Sequence, residues 1–202
     1  MTPEEIGKSY NQIAAQWMSP PFDNSNGIEA HRRALSYVNE PGWALDVGCG
    51  CNGRFFKLLK EEGYQVEGID VSEEMIRLAR KTHPDMISHH ADISTWSLPR
   101  SYEFITAWDS IWHLPLSQQK PVLTKLCKGL SPKGVFILTI GGLAESSETE
   151  NAHMGVPMAY STLGIECTID VLEQNGCICR HQEFDQSAEK HFYLITQKQT
   201  AC

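Results

Sequence analysis

The chain has 202 residues, of which 41% are hydrophobic and 21% are charged, and its formal net charge is −8. This composition is typical of a globular protein, and the length predicts a single domain over residues 1–202. The acidic balance argues against nucleic acid as a partner, because no general excess of cations exists to neutralise phosphates. The sequence contains neither an apolar run of about 18 residues nor a signal-peptide pattern at its start. We therefore expect a cytoplasmic protein without a membrane partner.

The seven cysteines are an odd number in a chain of this size, which predicts reduced thiols rather than a disulfide framework. Cys177 and Cys179 alternate within a β-prone run, so their side chains point to opposite faces and cannot easily share a metal. Cys49 and Cys51 flank a glycine in a turn. Because no Cys/His spacing fits a zinc site, we expect no metal.

The sequence pattern of the N-terminal segment, 1–40, predicts two helices. The first begins with T-P-E-E, a capping box with proline in the first turn, and places Tyr10 and Trp17 on one face. The segment P-P-F-D-N-S-N-G breaks this helix, and a second helix is predicted over 28–38. Such a segment is either a lid over a site or a packed appendage, since an aromatic stripe at helical spacing is often simply core.

The stretch A-L-D-V-G-C-G-C-N-G-R at 44–54 has the pattern of a buried strand, a glycine turn and the start of a helix. Gly48, Gly50 and Gly53 let the main chain approach a flat ligand closely. The following helix directs unpaired N–H groups and its positive dipole end toward that ligand. We therefore predict a ligand site here. The spacing also matches the dinucleotide fingerprint G-x-G-x-x-G, so this stretch alone leaves the ligand open.

Strand and helix patterns alternate through the middle of the chain. The predicted elements after the glycine turn are strands at 65–70, 86–90, 102–108 and 134–140, with helices at 72–81 and 117–130. Strands separated by helices pair in parallel through right-handed crossovers. The sequence therefore predicts the α/β class: a Rossmann-like open sheet, mostly parallel, with helices on both faces.

The last third departs from this alternation. Residues 141–152 are polar and rich in Ser, Glu and Gly, which predicts a mobile loop. Ser161 is the predicted cap of a helix that ends near Asn175. Strands at 177–184 and 192–198, joined by a short polar connection, then predict an antiparallel C-terminal strand pair.

Acidic residues recur where the predicted parallel strands end, and ligands of open α/β sheets bind beyond that edge. Asp46 lies in the first strand, Asp70 ends the second, Asp92 follows the third and Asp109 follows the fourth. Asp70 lies 20 residues after Gly50. This is the separation expected for a carboxylate that accepts two hydrogen bonds from ribose hydroxyls.

Asp92 is followed by the apolar Ile93, and this pair suits an adenine. The carboxylate can accept a hydrogen bond from the exocyclic amine, a main-chain N–H can donate to a ring nitrogen, and Ile93 can pack on the ring face. Taken alone, each of these aspartates is equally typical of a turn. The sequence therefore predicts the adenine contact only in combination with the glycine turn and the ribose-binding acid.

Five motifs, in this order, resemble those of the class I S-adenosylmethionine-dependent methyltransferases. They are L-D-V-G-C-G-C-N-G at 45–53, G-I-D-V-S at 68–72, A-D-I at 91–93, W-D-S-I-W-H-L at 108–114 and L-S-P-K-G-V-F-I-L at 130–138. The resemblance extends over nearly the whole chain and is nearest to bacterial enzymes that act on small molecules. It implies S-adenosylmethionine as the cofactor and a small-molecule methyl acceptor as the substrate. One departure is that Cys51 and Asn52 separate Gly50 from Gly53, where many relatives have G-x-G-x-G.

The resemblance also implies which residues form the cofactor site. Asp46 is expected to help hold the ammonium group of the cofactor. A pyrophosphate beside this carboxylate would be repelled, which disfavours NAD. The implied cofactor-binding residues are Tyr10, Trp17, Asp46, Gly48, Cys49, Gly50, Asp70, Val71, Met75, Asp92, Ile93 and Trp108.

Methyl transfer to a hydroxyl or an activated carbon also needs a base. His113 is the best candidate, because histidine titrates near neutrality. The structural alternative is a histidine at a helix start that packs against Trp112. Asp109 is expected either to take part in catalysis by orienting the substrate or to cap the following turn, and 141–160 is expected to form the substrate wall. The acceptor atom, whether O, N, C or S, stays open, as does the oligomeric state.

Two other functions also stay open. An NAD(P)-binding oxidoreductase shares the glycine spacing, although the sequence lacks a Tyr-x-x-x-Lys pair. A non-catalytic protein that binds S-adenosylmethionine would keep the same site without turning over a substrate. Binding of S-adenosylhomocysteine but not of NAD argues against the oxidoreductase, and turnover argues against the sensor.

Overall fold

The computed structural model of the protein describes residues 1–20, 22–186 and 190–200. The strands in these ranges are β1 Trp43–Val47, β2 Gln65–Asp70, β3 Ile87–His90, β4 Tyr102–Ala107, β5 Leu130–Gly141, β6 Ser147–Asn151, β7 Met158–Thr162, β8 Cys177–Gln186 and β9 His191–Lys198. A seven-stranded sheet has the spatial order β3-β2-β1-β4-β5-β9-β8, and β6 pairs with β7 in a separate two-stranded sheet.

The large sheet is mostly parallel. Strand β1 pairs in parallel with β2 and β4, β2 pairs in parallel with β3, and β4 pairs in parallel with β5. Strand β9 enters between β5 and β8 and is antiparallel to both. The predicted fold class is confirmed. The strand order reverses between β1 and β4, and ligands of open α/β sheets bind beyond the carboxyl ends of the strands at that point.

Helices cover both faces of this sheet. They are α1 Pro3–Ile13, α2 Ile28–Leu35, α3 Arg54–Glu61, α4 Glu73–Thr82, α5 Leu116–Gly129 and α6 Ile165–Gln174, with 3₁₀ turns at Ala14–Met18 and Ile111–His113. Alternate residues of β1 point to opposite faces. Leu45 therefore joins the core under α5 and α6, whereas Ala44 joins the core under α2, α3 and α4. Within the described ranges, none of the helices is long and apolar enough to cross a membrane.

The N-terminal helix begins as predicted. The Thr2 hydroxyl accepts a hydrogen bond from the Glu5 N–H at 3.3 Å, and the Glu5 carboxylate accepts one from the Thr2 N–H at 2.7 Å. The regular helix ends at Ile13 and continues as a 3₁₀ turn that carries Trp17. In the predicted break that follows, Pro21 lies outside the described residues. Residues 187–189 of the C-terminal connection and residues 201–202 also lie outside them.

The prediction of a mobile loop over 141–152 was wrong. Strand β5 continues to Gly141, and Ser147–Asn151 forms a strand paired antiparallel with Met158–Thr162. The segment S-E-T-E-N has no apolar residue, so it lacks the alternation that marks a half-buried strand. Pairing of its main chain with the more buried Met158–Thr162 strand supplies the order instead.

The predicted helix start at Ser161 was also wrong. Ser161 lies in strand β7, and its hydroxyl donates to the Leu114 carbonyl oxygen rather than to a helix terminus. The helix begins at Ile165 after Gly164, which has a φ of +87°. Positive φ is adopted by glycine at little cost. Gly164, rather than the serine, therefore marks the turn from strand into helix.

A buried histidine joins the second helix to the sheet. His31 has no solvent exposure, and its Nδ1 lies 2.7 Å from the Gly27 carbonyl oxygen. Its Nε2 lies 2.8 Å from the Thr106 hydroxyl, and its ring stacks on Phe55 at 3.8 Å between centroids. Burial lowers the pKa of His31 to about 3. The imidazole is therefore neutral in the folded protein at every physiological pH.

We expect this histidine to make the protein sensitive to acid. The unfolded chain takes up a proton near pH 6.5 but the folded chain does not, so stability is lost as the pH falls below 6.5 toward 3. The loss from His31 alone should reach about 2 kcal/mol by pH 5. Urea unfolding at pH 7 and pH 5 measures it. In His31→Gln the pH-dependent loss should shrink by that amount, whereas the exposed-site control His153→Gln should behave as wild type. An unchanged loss in His31→Gln would contradict this assignment.

Candidate active site

The glycine turn after β1 lies against the adjacent β2 strand. The N–H groups of Gly48 and Cys49 donate to the Ile69 carbonyl oxygen at 2.8 and 3.1 Å. Gly48 has a φ of +75°, and a Cβ built there would lie 2.3 Å from Cβ of Ser110. Position 48 thus needs glycine for two reasons, its conformation and the close approach of the chain after β4. The turn therefore lies directly beside the segment that follows β4.

The Asp70 carboxylate at the end of β2 is fixed by two main-chain groups. One oxygen accepts a hydrogen bond from the Gly50 N–H at 2.9 Å, and the other accepts one from the Ser72 N–H at 2.8 Å. Burial raises the pKa of Asp70, and these two hydrogen bonds oppose that rise. Each carboxylate oxygen accepts up to two hydrogen bonds. The group is therefore rigid and still able to accept hydrogen bonds from a ligand.

A cavity of about 380 Å³ opens at this edge of the sheet. Its volume is within the range of small-molecule sites. Most of the predicted site residues line it: Tyr10, Trp17, Gly48, Cys49, Asp70, Val71, Met75, Asp92, Ile93, Trp108, Asp109 and His113. Asp46 and Gly50 are not among the residues that line it. The fold thus brings twelve of the fourteen candidates to one cavity, and their roles stay predictions.

Asp46 lies behind the cavity wall rather than in it. It alternates with the neighbouring residues of β1, so it points toward the face that α2 and α3 cover. Its side chain is buried, and burial raises its pKa to about 7, while the positive charge of Arg54 opposes the rise. The carboxylate of Asp70 raises it further. Asp46 is therefore close enough to both groups to sense their charge.

Hydrogen bonds with Ser94 and Lys125 fix the loop that follows β3. The Asp92 carboxylate accepts hydrogen bonds from the N–H and hydroxyl of Ser94 at 2.8 and 2.6 Å. The ammonium group of Lys125, on α5, donates to the carbonyl oxygens of Ile93 and Trp96. These contacts hold Asp92 and Ile93 in place at the wall of the cavity. They also show that Asp92 has the local role of a turn aspartate, which is compatible with a further contact to a ligand.

His113 is fixed on both ring nitrogens. Its Nδ1 lies 2.8 Å from the Ala159 carbonyl oxygen, so Nδ1 carries the hydrogen. Its Nε2 therefore accepts, from the Tyr10 hydroxyl at 2.8 Å and from Nε1 of Trp112 at 3.1 Å. Burial lowers the pKa of His113 to about 4, although the hydrogen bond to Ala159 opposes this. His113 is thus a neutral imidazole whose acceptor nitrogen already faces Tyr10.

Asp109 belongs to a chain of charged groups that the sequence pattern did not predict. One carboxylate oxygen lies 2.8 Å from Nε2 of His191, and the other lies 3.6 Å from the Arg54 guanidinium. His191 is also bonded through Nδ1 to Asp185 at 2.5 Å. Burial would lower the pKa of His191, but Asp109 and Asp185 outweigh it and raise that pKa. Arg54, Asp109 and His191 all line the cavity.

Asp109 also has an unusual backbone conformation. Its φ is +53°, which is uncommon for a residue other than glycine, and its N–H donates to the Thr139 hydroxyl at 2.7 Å. Aspartate tolerates the left-handed region better than most residues. Such outliers persist where the surroundings fix them, and they cluster at functional sites. The hydrogen bond to Thr139 and the contacts with Arg54 and His191 supply that support here.

Two buried donors at the cavity wall have no hydrogen-bond partner among the described residues, namely Nε1 of Trp108 and Oγ of Ser110. An unsatisfied buried donor costs about 1–3 kcal/mol. A Cβ at Gly48 would lie 3.1 Å from this Ser110 oxygen, so the hydroxyl is next to the glycine turn. A Cβ at Gly27 would lie 3.0 Å from Nε1 of Trp108, so this donor lies beside Gly27, which does not line the cavity. The Asp70 carboxylate can accept hydrogen bonds from hydroxyls, which fits the nucleoside end of S-adenosylmethionine.

Sequence reasoning missed Arg54, His191 and Asp185. The sequence did contain a signal for Arg54. A cation at the first position of the helix after the glycine turn is unfavourable beside the positive end of the helix dipole, so its presence there indicates another role. Neither His191 nor Asp185 carried a local signal, since their contacts depend on how β8 and β9 pair.

The G-x-G-x-x-G spacing implied that Gly53 approaches the ligand, but Gly53 is not among the residues that line the cavity. It is the residue before α3, and a Cβ there would lie 2.2 Å from Nε2 of His83.

Residues 44–134 match the family model described as "Methyltransferase domain". A dTDP-3-amino-3,6-dideoxy-alpha-D-glucopyranose N,N-dimethyltransferase of Streptomyces fradiae is 32% identical over 96 residues, 46% of this chain and 37% of that protein. A ubiquinone biosynthesis O-methyltransferase of Idiomarina loihiensis is 28% identical over 156 residues, 68% of this chain and 60% of that protein. The chain thus spans between about one third and three fifths of the length of these curated relatives.

A solved structure has the same fold over almost the whole chain. It is the 1,6-didemethyltoxoflavin-N1-methyltransferase of Burkholderia thailandensis with bound 1,6-didemethyltoxoflavin and S-adenosylhomocysteine. Its TM-score is 0.74 at 16% identity, and the match covers 98% of this chain and 87% of that one. The shared fold is a Rossmann-like open sheet with an antiparallel strand pair at its end. Residues 44–134 thus match a methyltransferase domain, and this match confirms the resemblance to the class I S-adenosylmethionine-dependent methyltransferases and the cofactor that it implied.

Proposed function

We propose that the protein transfers a methyl group from S-adenosylmethionine to a small-molecule acceptor. The observation that carries this proposal is the Asp70 carboxylate, fixed by Gly50 and Ser72 at the wall of a 380 Å³ cavity. Asp70 is partly buried, and a carboxylate withdrawn from water costs free energy unless its hydrogen bonds are made. The hydroxyls of a ribose would complete them.

In this proposal the two halves of the cavity have different tasks. Asp70 binds the ribose hydroxyls, and Asp92 with Ile93 binds the adenine. When bound, S-adenosylmethionine supplies an electrophilic methyl group on a positively charged sulfur. The protein then has to align the acceptor with that group and exclude water. The acceptor half of the cavity is the part lined by Asp109, His113 and Tyr160.

The N-terminal segment, 1–40, acts as a lid over the cofactor half. The Asn11 side chain of α1 accepts hydrogen bonds from the Ser72 hydroxyl and the Glu74 N–H, next to Asp70. Tyr10 and Trp17 follow on the cavity side and contact each other edge to face at 5.5 Å between centroids. The segment 141–160 forms the opposite wall with Tyr160. Together they exclude water from the site.

Tyr10 and His113 act as a pair on the acceptor. Because the Tyr10 hydroxyl donates to Nε2 of His113, its oxygen can accept a hydrogen bond from the nucleophile. Where that nucleophile must lose a proton, the proton passes to the Tyr10 oxygen while the hydroxyl hydrogen of Tyr10 moves to Nε2. The products are the methylated acceptor and a short-lived imidazolium at His113, which burial disfavours and which returns its proton to solvent when the site opens. Asp109, fixed by Arg54 and His191, orients the acceptor from the other side.

Binding calorimetry tests the cofactor assignment. S-adenosylhomocysteine should bind and NAD⁺ should not, and the reverse result would overturn the proposal in favour of an oxidoreductase. Detection of S-adenosylhomocysteine released from S-adenosylmethionine across a panel of small amines, phenols, hydroxyl compounds and thiols then tests turnover. The two relatives above act at N and O, so the panel includes both classes. Cofactor binding with no turnover of any acceptor would favour a non-catalytic S-adenosylmethionine-binding protein.

A pair of glycine variants shows whether the cofactor lies against the turn. Gly50 and Gly155 have φ values of +56° and +84°, and a Cβ at either position would have nothing within 4 Å. Replacement by alanine should therefore destabilise the protein by about 1 kcal/mol at either position, because alanine adopts a positive φ less readily than glycine. Only Gly50→Ala should weaken S-adenosylhomocysteine binding, by about 10-fold, because its methyl group occupies space that the ligand needs. Equal affinities in the two variants would remove Gly50 from the site.

A further inference from the structure

A second cavity lies beyond the acceptor end of the first. Its volume is about 370 Å³, and it shares three side chains with the main cavity: Trp112, Tyr160 and His191. Trp112 and His191 meet edge to face at 5.4 Å between ring centroids. The remaining walls come from the end of β5, the β6–β7 hairpin and the residue before β9. The two cavities therefore adjoin each other across these three side chains.

The described lining of the second cavity includes one lysine and no acidic side chain. The chain has a net charge of −8, yet no aspartate or glutamate is among the described residues that line this cavity. Lys190 and His191 both line it. The Gly142 N–H donates to the Lys190 carbonyl oxygen at 2.7 Å, which holds the main chain of this exposed lysine at the end of β5. The main chain of Lys190 is therefore fixed at the rim of the cavity, and its side chain is exposed there.

The hydroxyl groups of this cavity fall into two sets. Those of Ser161 and Thr162 already donate to the carbonyl oxygens of Leu114 and Gly141. Ser147 and Thr149 line the cavity from the β6 strand, and their side chains have no hydrogen bond among the described residues. Hydroxyl donors next to an ammonium group are a common way of binding phosphate or carboxylate oxygens. The hydroxyls of Ser147 and Thr149 are therefore free of protein partners among the described residues and can donate to an anion.

We propose that the second cavity binds an anionic group, a phosphate or a carboxylate, at the end of the methyl acceptor opposite to its nucleophile. Lys190 supplies the charge, and Ser147 and Thr149 supply hydrogen bonds. Trp112 and Tyr160 hold the linking part of the molecule between the two cavities. His191 adds little net charge, because Asp109 and Asp185 compensate it. The inference rests on the proposed function, since the acceptor half of the main cavity defines which molecule extends here.

Titration of the full chain with inorganic phosphate and with acetate, in the presence of saturating S-adenosylhomocysteine, tests the site. Amide resonances of Thr149 and Lys190 in ¹H–¹⁵N spectra should shift with one of these anions at millimolar concentration. Lys190→Met should weaken this binding by about 10-fold, the loss expected for one charged contact. The matched control Lys57→Met removes an exposed lysine of α3 and should bind as wild type.

The outcomes separate this inference from the proposed function. Absence of shifts at Thr149 and Lys190 with both anions, or equal affinity in Lys190→Met and Lys57→Met, would overturn the anion site. S-adenosylhomocysteine affinity, measured on the same samples, tests the cofactor assignment independently. A phosphomonoester amine such as phosphoethanolamine distinguishes an acceptor from a free ion. As an acceptor it should also shift the amides of Asp109 and His113, whereas inorganic phosphate should not.

Discussion

Asp70→Asn should weaken the binding of S-adenosylhomocysteine by about 100-fold. The carboxylate is fixed by the N–H groups of Gly50 and Ser72, and in the proposed complex it accepts hydrogen bonds from two ribose hydroxyls. An amide keeps one acceptor oxygen but turns the other position into a donor. The variant therefore loses charge-assisted bonds of about 1.5–3 kcal/mol each, and one of its donors opposes an N–H group. Isothermal titration calorimetry measures the change.

The control for this variant is Asp85→Asn. Asp85 is an exposed carboxylate that pairs with Lys60, away from the cavity. Its replacement should leave ligand affinity unchanged, because exposed ion pairs contribute little. Thermal unfolding of both variants shows whether Asp70→Asn is still folded at the temperature of the titration. A folded Asp70→Asn protein that binds as tightly as wild type would remove the ribose contact from the proposal.

The glycine turn and Asp70 could be predicted from the sequence because their relationship is local. A strand, a turn that requires positive φ and an acid at the end of the next strand are each readable in a short window. Parallel pairing of β1 with β2 then brings Asp70 to Gly50 without further information. The same holds for Asp92 and Asp109, since both follow parallel strands whose carboxyl ends meet at one edge.

His191 could not be found by this rule, for a topological reason. It begins β9, which is antiparallel to β5, and the register pairs His191 with Gly141 at the end of β5. The amino end of an antiparallel strand thus reaches the edge at which the parallel strands have their carboxyl ends. A search limited to the carboxyl ends of the parallel strands therefore overlooks such a residue. The position of β9 between β5 and β8 has to be known before His191 can be placed beside Asp109.

The β6–β7 hairpin illustrates a second limit of the sequence. Its first strand is polar throughout and gains its order from contacts far along the chain. The Glu148 carboxylate accepts a hydrogen bond from the Leu116 N–H at 2.7 Å, and Glu150 forms an ion pair with the N-terminal ammonium group at 2.7 Å. These contacts tie the hairpin to α5 and α1. The acceptor side of the site is therefore built by long-range contacts, polar ones from β6 and apolar ones between Met158 and α1, which a short sequence window does not show.

His113→Ala should lower the rate of methyl transfer by about 100-fold while leaving S-adenosylhomocysteine affinity nearly unchanged. The physical reason is the paired role of His113 and Tyr10, in which Nε2 fixes the Tyr10 hydroxyl and receives its hydrogen. Positioned proton transfer contributes about 10²–10⁴-fold to a rate. Single-turnover release of S-adenosylhomocysteine, with an acceptor identified from the panel above, measures the effect. The exposed-site variant His153→Ala should react as wild type.

Tyr10→Phe and the double variant show whether the two residues act as a unit. If they do, Tyr10→Phe should be as slow as His113→Ala, and removing both should cost little more than removing one. His113→Gln separates positioning from proton transfer, because its amide oxygen can accept from Tyr10 but is far less basic than an imidazole. A rate near wild type in His113→Gln would leave His113 with a positioning role alone. Additive losses in the double variant would contradict the pair, because independent residues contribute separately to the barrier.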